Sequence, residues 1–208
     1  MLSATASATQ ADQTRRRIAD VAESLFRSMG YQKTAVADIA RELGMSPANV
    51  YRYFPSKSAI NEAIADRLLD GLASTGEAIA AGPGSAEARL FALAEHFRAS
   101  EIALFFTERR MHDMVSAAMT EHWAVIERFI TRYRAMVAGV VAAGMAAGEF
   151  APGDPALAAD AFKHAMLAWH HPVMVQECLR MGVPAEEMLT GMQATLRLLV
   201  AGLKHGVD

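Results

Sequence analysis

Asn49 and Arg52 lie close together in a short stretch that also holds Tyr51 and Tyr53, with Lys57 just beyond. A carboxamide and a guanidinium can each make paired hydrogen bonds to a base edge, Asn to adenine and Arg to guanine. Tyrosine and threonine hydroxyls and a lysine ammonium suit phosphate oxygens, which places Tyr51, Tyr53, Lys57 and the nearby Thr34 in that role. Three of the chain's four tyrosines (Tyr31, Tyr51, Tyr53) fall in this segment beside Lys33, Arg52 and Lys57. Pro47 and Ala48 precede them with short side chains that would not obstruct a close approach. The chemistry on offer is recognition of a double-stranded polyanion, provided that a scaffold holds these groups outward.

The flanking sequence supplies that scaffold. Ile18, Val21, Ala22, Leu25, Phe26 and Met29 recur at three- and four-residue steps, which predicts a helix over 13–29 stopped by Gly30. Val36, Ile39, Ala40 and Leu43 predict a second, short helix over 36–43. Gly44-Met45-Ser46 reads as a tight turn, with Ser46 as N-cap and Pro47 in the first helical position, where its missing N–H costs nothing. The third helix, 47–53, must be short because Pro55 interrupts it. Two short helices joined by a glycine turn and packed on a longer one form a helix-turn-helix. Ser56 would then cap a long helix over 57–80, whose opening N–H groups also favour a phosphate. Asp38 suits the start of its own helix as a structural residue. Arg15, Arg16 and Arg17 suit either a nucleic-acid backbone or minor groove, or a solvated first turn.

These motifs, namely Gly30-Tyr31-Gln32-Lys33-Thr34, Val36-Ala37-Asp38-Ile39-Ala40, Gly44-Met45-Ser46 and Val50-Tyr51-Arg52-Tyr53-Phe54-Pro55-Ser56-Lys57, resemble the DNA-binding domain of the tetracycline-repressor-like (TetR) family of bacterial transcription regulators. The resemblance covers about 15–65. It implies an all-helical homodimer with an N-terminal DNA-binding domain and a larger C-terminal domain for ligand binding and dimerisation. It places base-reading positions on Ala37, Pro47, Ala48, Asn49 and Arg52, and phosphate contacts on Thr34, Tyr51, Tyr53 and Lys57. Ala48 stands where family members often have glycine, a difference of one methyl.

Charge distribution agrees. The net charge is −3, yet residues 1–57 hold eight Lys/Arg against five Asp/Glu, which leaves the rest of the chain acidic. A small basic head on an acidic body fits a nucleic-acid contact made by the head alone. No apolar run approaches the ~20 residues that span a bilayer. Residues 1–12 are small and polar and read as a disordered arm, without the basic start and apolar stretch of a signal peptide. Cys178 is the sole cysteine, so no intrachain disulfide can form, and a cytoplasmic location is the simplest expectation.

Beyond residue 57 the pattern stays helical. Helices are expected over 86–106, 108–119, 121–147, 155–181 (with Pro172 expected to kink or break it) and 185–203, about nine in all, giving an all-α chain divided into 1–12, a head of 13–57 and a body of 58–208. Met188, Leu189, Met192, Leu196, Leu199, Val200 and Leu203 stripe the final helix, and the helix from Pro155 is apolar nearly all round. These last two helices are the expected homodimer interface. Two-fold symmetry would then set the recognition helices about 34 Å apart on a near-palindromic operator.

Ten of thirteen methionines lie past residue 110, together with both tryptophans. Methionine adapts to loosely specified apolar ligands. Phe105, Phe106, Met111, Trp123, Phe129, Tyr133, Met166, Trp169, His170 and Met174 are the candidate lining of an effector site, with plain core as the competing reading for each. His164, His171 and Cys178 recur every seven residues, about 10 Å apart on a helix, too far to share a metal ion. No glycine-rich phosphate loop or nucleophile motif appears, and Glu108, Arg109, Arg110, His112 and Asp113 read as a solvated ion-paired face, so no enzyme and no cofactor is expected. The expectation is a regulator, in the form of a repressor released from DNA by a small molecule. The alternatives are an architectural DNA-binding protein without a ligand and an enzyme with an appended DNA-binding head.

Overall fold

In the computed structural model the backbone is described for residues 2–103, 114, 117–121 and 123–206, and the side chains for 10–100, 103, 114, 117–121 and 124–206. Among these residues nine helices are delimited and no strand. The chain forms two compact units. The first is Met1–Leu69 with Glu108–Ile126, and the second is Asp70–Thr107 with Glu127–Asp208.

The first unit is built on α1 (Leu2–Met29), α2 (Val36–Glu42), α3 (Pro47–Tyr51) and the start of α4 (Lys57–Ala80). The apolar stripe of α1 behaves as its spacing demands: Ile18, Ala22 and Phe26 are fully buried. Ile39 and Ala40 of α2, Val50 of α3, Phe54 just past it, and Ile60 and Ile64 of α4 belong to the same unit's buried set. Each such large side chain contributes about 1.5–3 kcal/mol of burial. Asn61 is buried as well, and its amide donates to the Met114 carbonyl at 3.1 Å. α1 begins at Leu2 and not at Gln13, so the stretch expected to be a disordered arm continues the helix. Ala4, Ala6, Ala8, Gln10 and Ala11 are good helix formers, and neither Gly nor Pro interrupts them.

The turn between α2 and α3 depends on Gly44, whose φ of 64° lies in the left-handed region. Ser46 caps α3 by accepting the Asn49 N–H at 3.2 Å. α3 stops at Tyr51, two residues sooner than Pro55 alone suggested. The Tyr53 and Phe54 N–H groups both turn back to the Val50 carbonyl, at 3.0 and 3.1 Å, and close the helix there.

The second unit contains the end of α4, α5 (Ala86–Ile102), most of α6 (Trp123–Ala146), α7 (Pro155–His170), α8 (Pro172–Arg180) and α9 (Ala185–His205). Ser85 and Asp154 cap α5 and α7 through the Ala88, Ala156 and Leu157 N–H groups. The core gathers Leu90, Leu93, Phe97, Tyr133, Val137, Val140, Val141, Phe162, Met166, Met192, Leu196 and Val200. α7 packs on α9, α8 and α5. The single helix expected over 155–181 is two. His171 takes an extended conformation, with φ −92° and ψ 123°, and Pro172 opens α8. Proline disfavours helical geometry in the residue before it and cannot donate to the preceding turn. Most of the helix expected over 108–119 lies outside the described residues, although 117–121 are helical.

Candidate nucleic-acid interface

α3 presents an outer face free of packing. Pro47, Ala48, Tyr51 and Arg52 are exposed, with Tyr51 at 50 %. Asn49 and Tyr53 are half-buried, and Val50 between them is sealed in the core. Ala37 is exposed on α2. Eight of the nine predicted contact residues therefore keep some accessible surface, and the inward Val50 fixes the rotation that aims Pro47, Ala48 and Tyr51 outward.

Thr34 is different. It is 1 % exposed, and its hydroxyl donates to the Gly30 carbonyl at 2.9 Å. That bond ties the turn after α1 and uses the hydroxyl's one proton internally. Lys57 also has internal partners. Its ammonium donates to the carbonyls of Tyr31 at 2.9 Å and Thr34 at 3.1 Å, and sits 4.4 Å from the centre of the Tyr31 ring. One of its three N–H groups remains for an outside acceptor. The sequence could not reveal this, because the partners lie 26 and 23 residues away.

The other cations of the head divide in two. Arg27 pairs with Glu23, Arg41 with Asp38, and Arg15 donates to the Tyr53 carbonyl while stacking on Phe54. Arg16, Arg17, Lys33 and Arg52 are exposed and, among the described residues, have no partner. These four are the groups ready to neutralise phosphates or read bases. Asp38 has the structural role expected of it. Its carboxylate accepts the Ala35 N–H at 2.9 Å and then the Arg41 guanidinium, and both hold it below the ordinary carboxylate pKa. This is one half of a capping box, whose other half an alanine cannot supply.

In the second unit the candidate effector residues separate. Phe129, Tyr133 and His170 converge on Phe97, with ring centres 5.9, 4.9 and 5.9 Å from it. The His170 Nε2–H donates to the Ala94 carbonyl at 3.0 Å, which leaves Nδ1 to accept the Tyr133 hydroxyl at 3.5 Å. Burial dominates both groups: it pushes His170 down to about 4 and raises the Tyr133 phenol. Met166 is buried in the same core, and Trp169 packs its ring against Gly191. Met174 is 45 % exposed on α8 and is not part of this cluster. Phe105, Phe106, Met111 and the Trp123 side chain lie outside the described residues. The central ring, Phe97, was missed. Its signal was the α5 stripe of Leu90, Leu93, Ala94 and Phe97, overshadowed by the methionine-rich region that follows. No group of three metal-binding side chains occurs among the described residues, and no helix of the described residues is long and apolar enough to cross a membrane.

Comparison with known proteins covers both units. Residues 18–64 match the family of bacterial regulatory proteins named for tetR, and residues 86–187 match the tetracyclin repressor-like C-terminal domain. The A-factor receptor protein of Streptomyces griseus is 40 % identical over 57 residues, which make up 27 % of this chain and 21 % of that protein. A TetR/AcrR-family regulator from Thermobifida fusca is 25 % identical, with a TM-score of 0.59 over 91 % of this chain and 98 % of its own. A TetR-family regulator from Pectobacterium atrosepticum has a TM-score of 0.70 at 17 % identity, over 96 % and 98 % of the two chains. FadR from Bacillus subtilis, solved with stearoyl-CoA, has a TM-score of 0.63 at 18 % identity, over 90 % and 98 %. With both halves matched and the helix-turn-helix in place, the chain belongs to the TetR family of bacterial transcription regulators.

Proposed function

We propose that this protein is a dimeric repressor that binds a near-palindromic operator and leaves it when a small molecule occupies its body. The observation that carries the reading is the outer face of α3, where Arg52, Tyr51, Pro47 and Ala48 are exposed beside cations that have no partner in the head. Arg52 and Asn49 read base edges in the major groove, and Pro47, Ala48 and Ala37 allow close approach. Tyr51 and Tyr53, with Arg16, Arg17 and Lys33, contact the phosphate backbone. The head is residues 13–57 and the body 58–208.

Homodimerisation runs through the last helices. The α9 stripe of Met188, Met192, Leu196 and Val200 is taken up by the chain's own core, and what α7 and α9 leave for a partner to cover are Leu157 and Leu198, 69 % and 75 % exposed. An effector sits against Phe97, Phe129, Tyr133 and His170, where apolar rings surround one neutral imidazole. Its influence on DNA binding equals its differential affinity for the bound and released states.

Footprinting of the full-length protein on the DNA upstream of its own gene tests the reading. The expected result is one protected near-palindrome whose affinity falls steeply with salt. Absence of any protected site, or affinity indifferent to salt, would refute it.

A further inference from the structure

Arg15 lies in α1, 38 residues before the carbonyl it binds. Its guanidinium carbon is 4.3 Å from the centre of the Phe54 ring, and one terminal nitrogen donates to the Tyr53 carbonyl. Phe54 is 2 % exposed, so the ring is fixed by the core and in turn fixes the cation stacked on it. The Tyr53 carbonyl stands just past the end of α3, where the chain has left the helix and Pro55 has no N–H. Stack and hydrogen bond together join α1 to the residues that follow the recognition helix. Arg16 and Arg17, its neighbours on α1, are exposed and, among the described residues, have no such partner.

We propose that Arg15 is a positioning residue for base readout, which holds the C-terminal end of α3, and with it Arg52, at a fixed angle to α1 without touching DNA. The inference rests on α3 being the recognition helix. A planar guanidinium can lie flat on a ring and donate in its own plane at the same time, whereas a tetrahedral ammonium on a shorter stem has no flat face to stack and offers only a point charge. Bidentate hydrogen bonds need donor and acceptor aligned within a few tenths of an ångström, so loosening this brace degrades sequence preference first. A phosphate contact at Arg15 would behave otherwise, weakening all DNA alike and flattening the salt dependence.

The test uses the full-length protein and two variants, Arg15→Lys, which keeps the charge, and Arg15→Met, which keeps the stem. The probes are the duplex that wild type enriches most from a random-sequence pool and a scrambled duplex of equal composition, each titrated over a series of KCl concentrations. Both variants are expected to lose roughly tenfold on the enriched duplex and less than about twofold on the scrambled one, with the wild-type salt slope retained. Amide resonances of Tyr51, Arg52 and Tyr53 should move while the helical circular dichroism stays unchanged. Near-wild-type binding by Arg15→Lys, with Arg15→Met weaker on both duplexes and its slope smaller by about one, would make Arg15 a phosphate contact and overturn the proposal. Wild-type behaviour of both variants would overturn it equally. Failure of wild type to enrich any duplex would overturn the DNA-binding reading itself, a result distinct from the other two.

Discussion

Lys57 sets its ammonium over the Tyr31 ring and on the Tyr31 and Thr34 carbonyls. Lys57→Met preserves the stem and removes both charge-assisted bonds, which should lower the stability of the first unit by about 1–3 kcal/mol in urea denaturation. Unchanged stability with equally weakened binding to every DNA would mark Lys57 as a phosphate contact alone. His170 offers a second measurement. Its folded pKa of about 4 lies below the 6.5 of a free imidazole, because burial disfavours the charged ring. The unfolded chain therefore takes up the proton first. The contribution of neutral His170 to stability is complete above pH about 6.5 and is lost as pH falls toward 4, by up to about 1.4 kcal/mol per pH unit. His170→Gln should flatten the thermal midpoint across that window relative to wild type, and identical slopes would contradict the burial of a neutral ring. At this scale the outward residues were legible, since Pro47, Ala48 and Arg52 follow from caps and periodicity. The internal bonds of Thr34, Arg15 and Lys57 were not, because side-chain partners distant in sequence leave no periodic trace.

Among the elements, α4 contains a glycine that its packing does not require. A Cβ at Gly71 would meet nothing within 4 Å, and the residue has no positive φ. The neighbouring Thr75 hydroxyl donates back to the Gly71 carbonyl at 3.1 Å, a bond that weakens the regular helix ladder. Gly71→Ala should therefore stabilise the chain by about 0.5–1 kcal/mol and raise the melting temperature by a few degrees. A lower melting temperature would show that the glycine answers a packing or bending need. The helix starts at Ser46 and Ser56 were readable, because each capping side chain satisfies an N–H of the first turn. The start of α1 was not, because an alanine-rich polar run has no apolar stripe to distinguish helix from coil. The break before α8 was half legible: Pro172 announced a disruption, but whether it would kink the helix or divide it depends on His171, whose extended backbone the sequence does not encode alone.

The whole molecule should work only as a pair, since one head offers few free cations among the described residues and a single short recognition helix. Leu198→Glu places a charge at a leucine that is 75 % exposed in the single chain and should convert a dimer into monomers by sedimentation, with helical content unchanged. A variant that still sediments as wild type would remove α9 from the interface. On the proposed reading, operator choice by the pair depends in turn on Arg52, at the C-terminal end of α3, reaching base edges. A paired titration of full-length wild type and Arg52→Ala, on the enriched duplex and on a scrambled one, addresses this without intermediaries. The expected loss is about 1–3 kcal/mol on the enriched duplex and far less on the scrambled one, so that the preference collapses. Equal losses on both would show that Arg52 holds phosphate and that the sequence is read elsewhere.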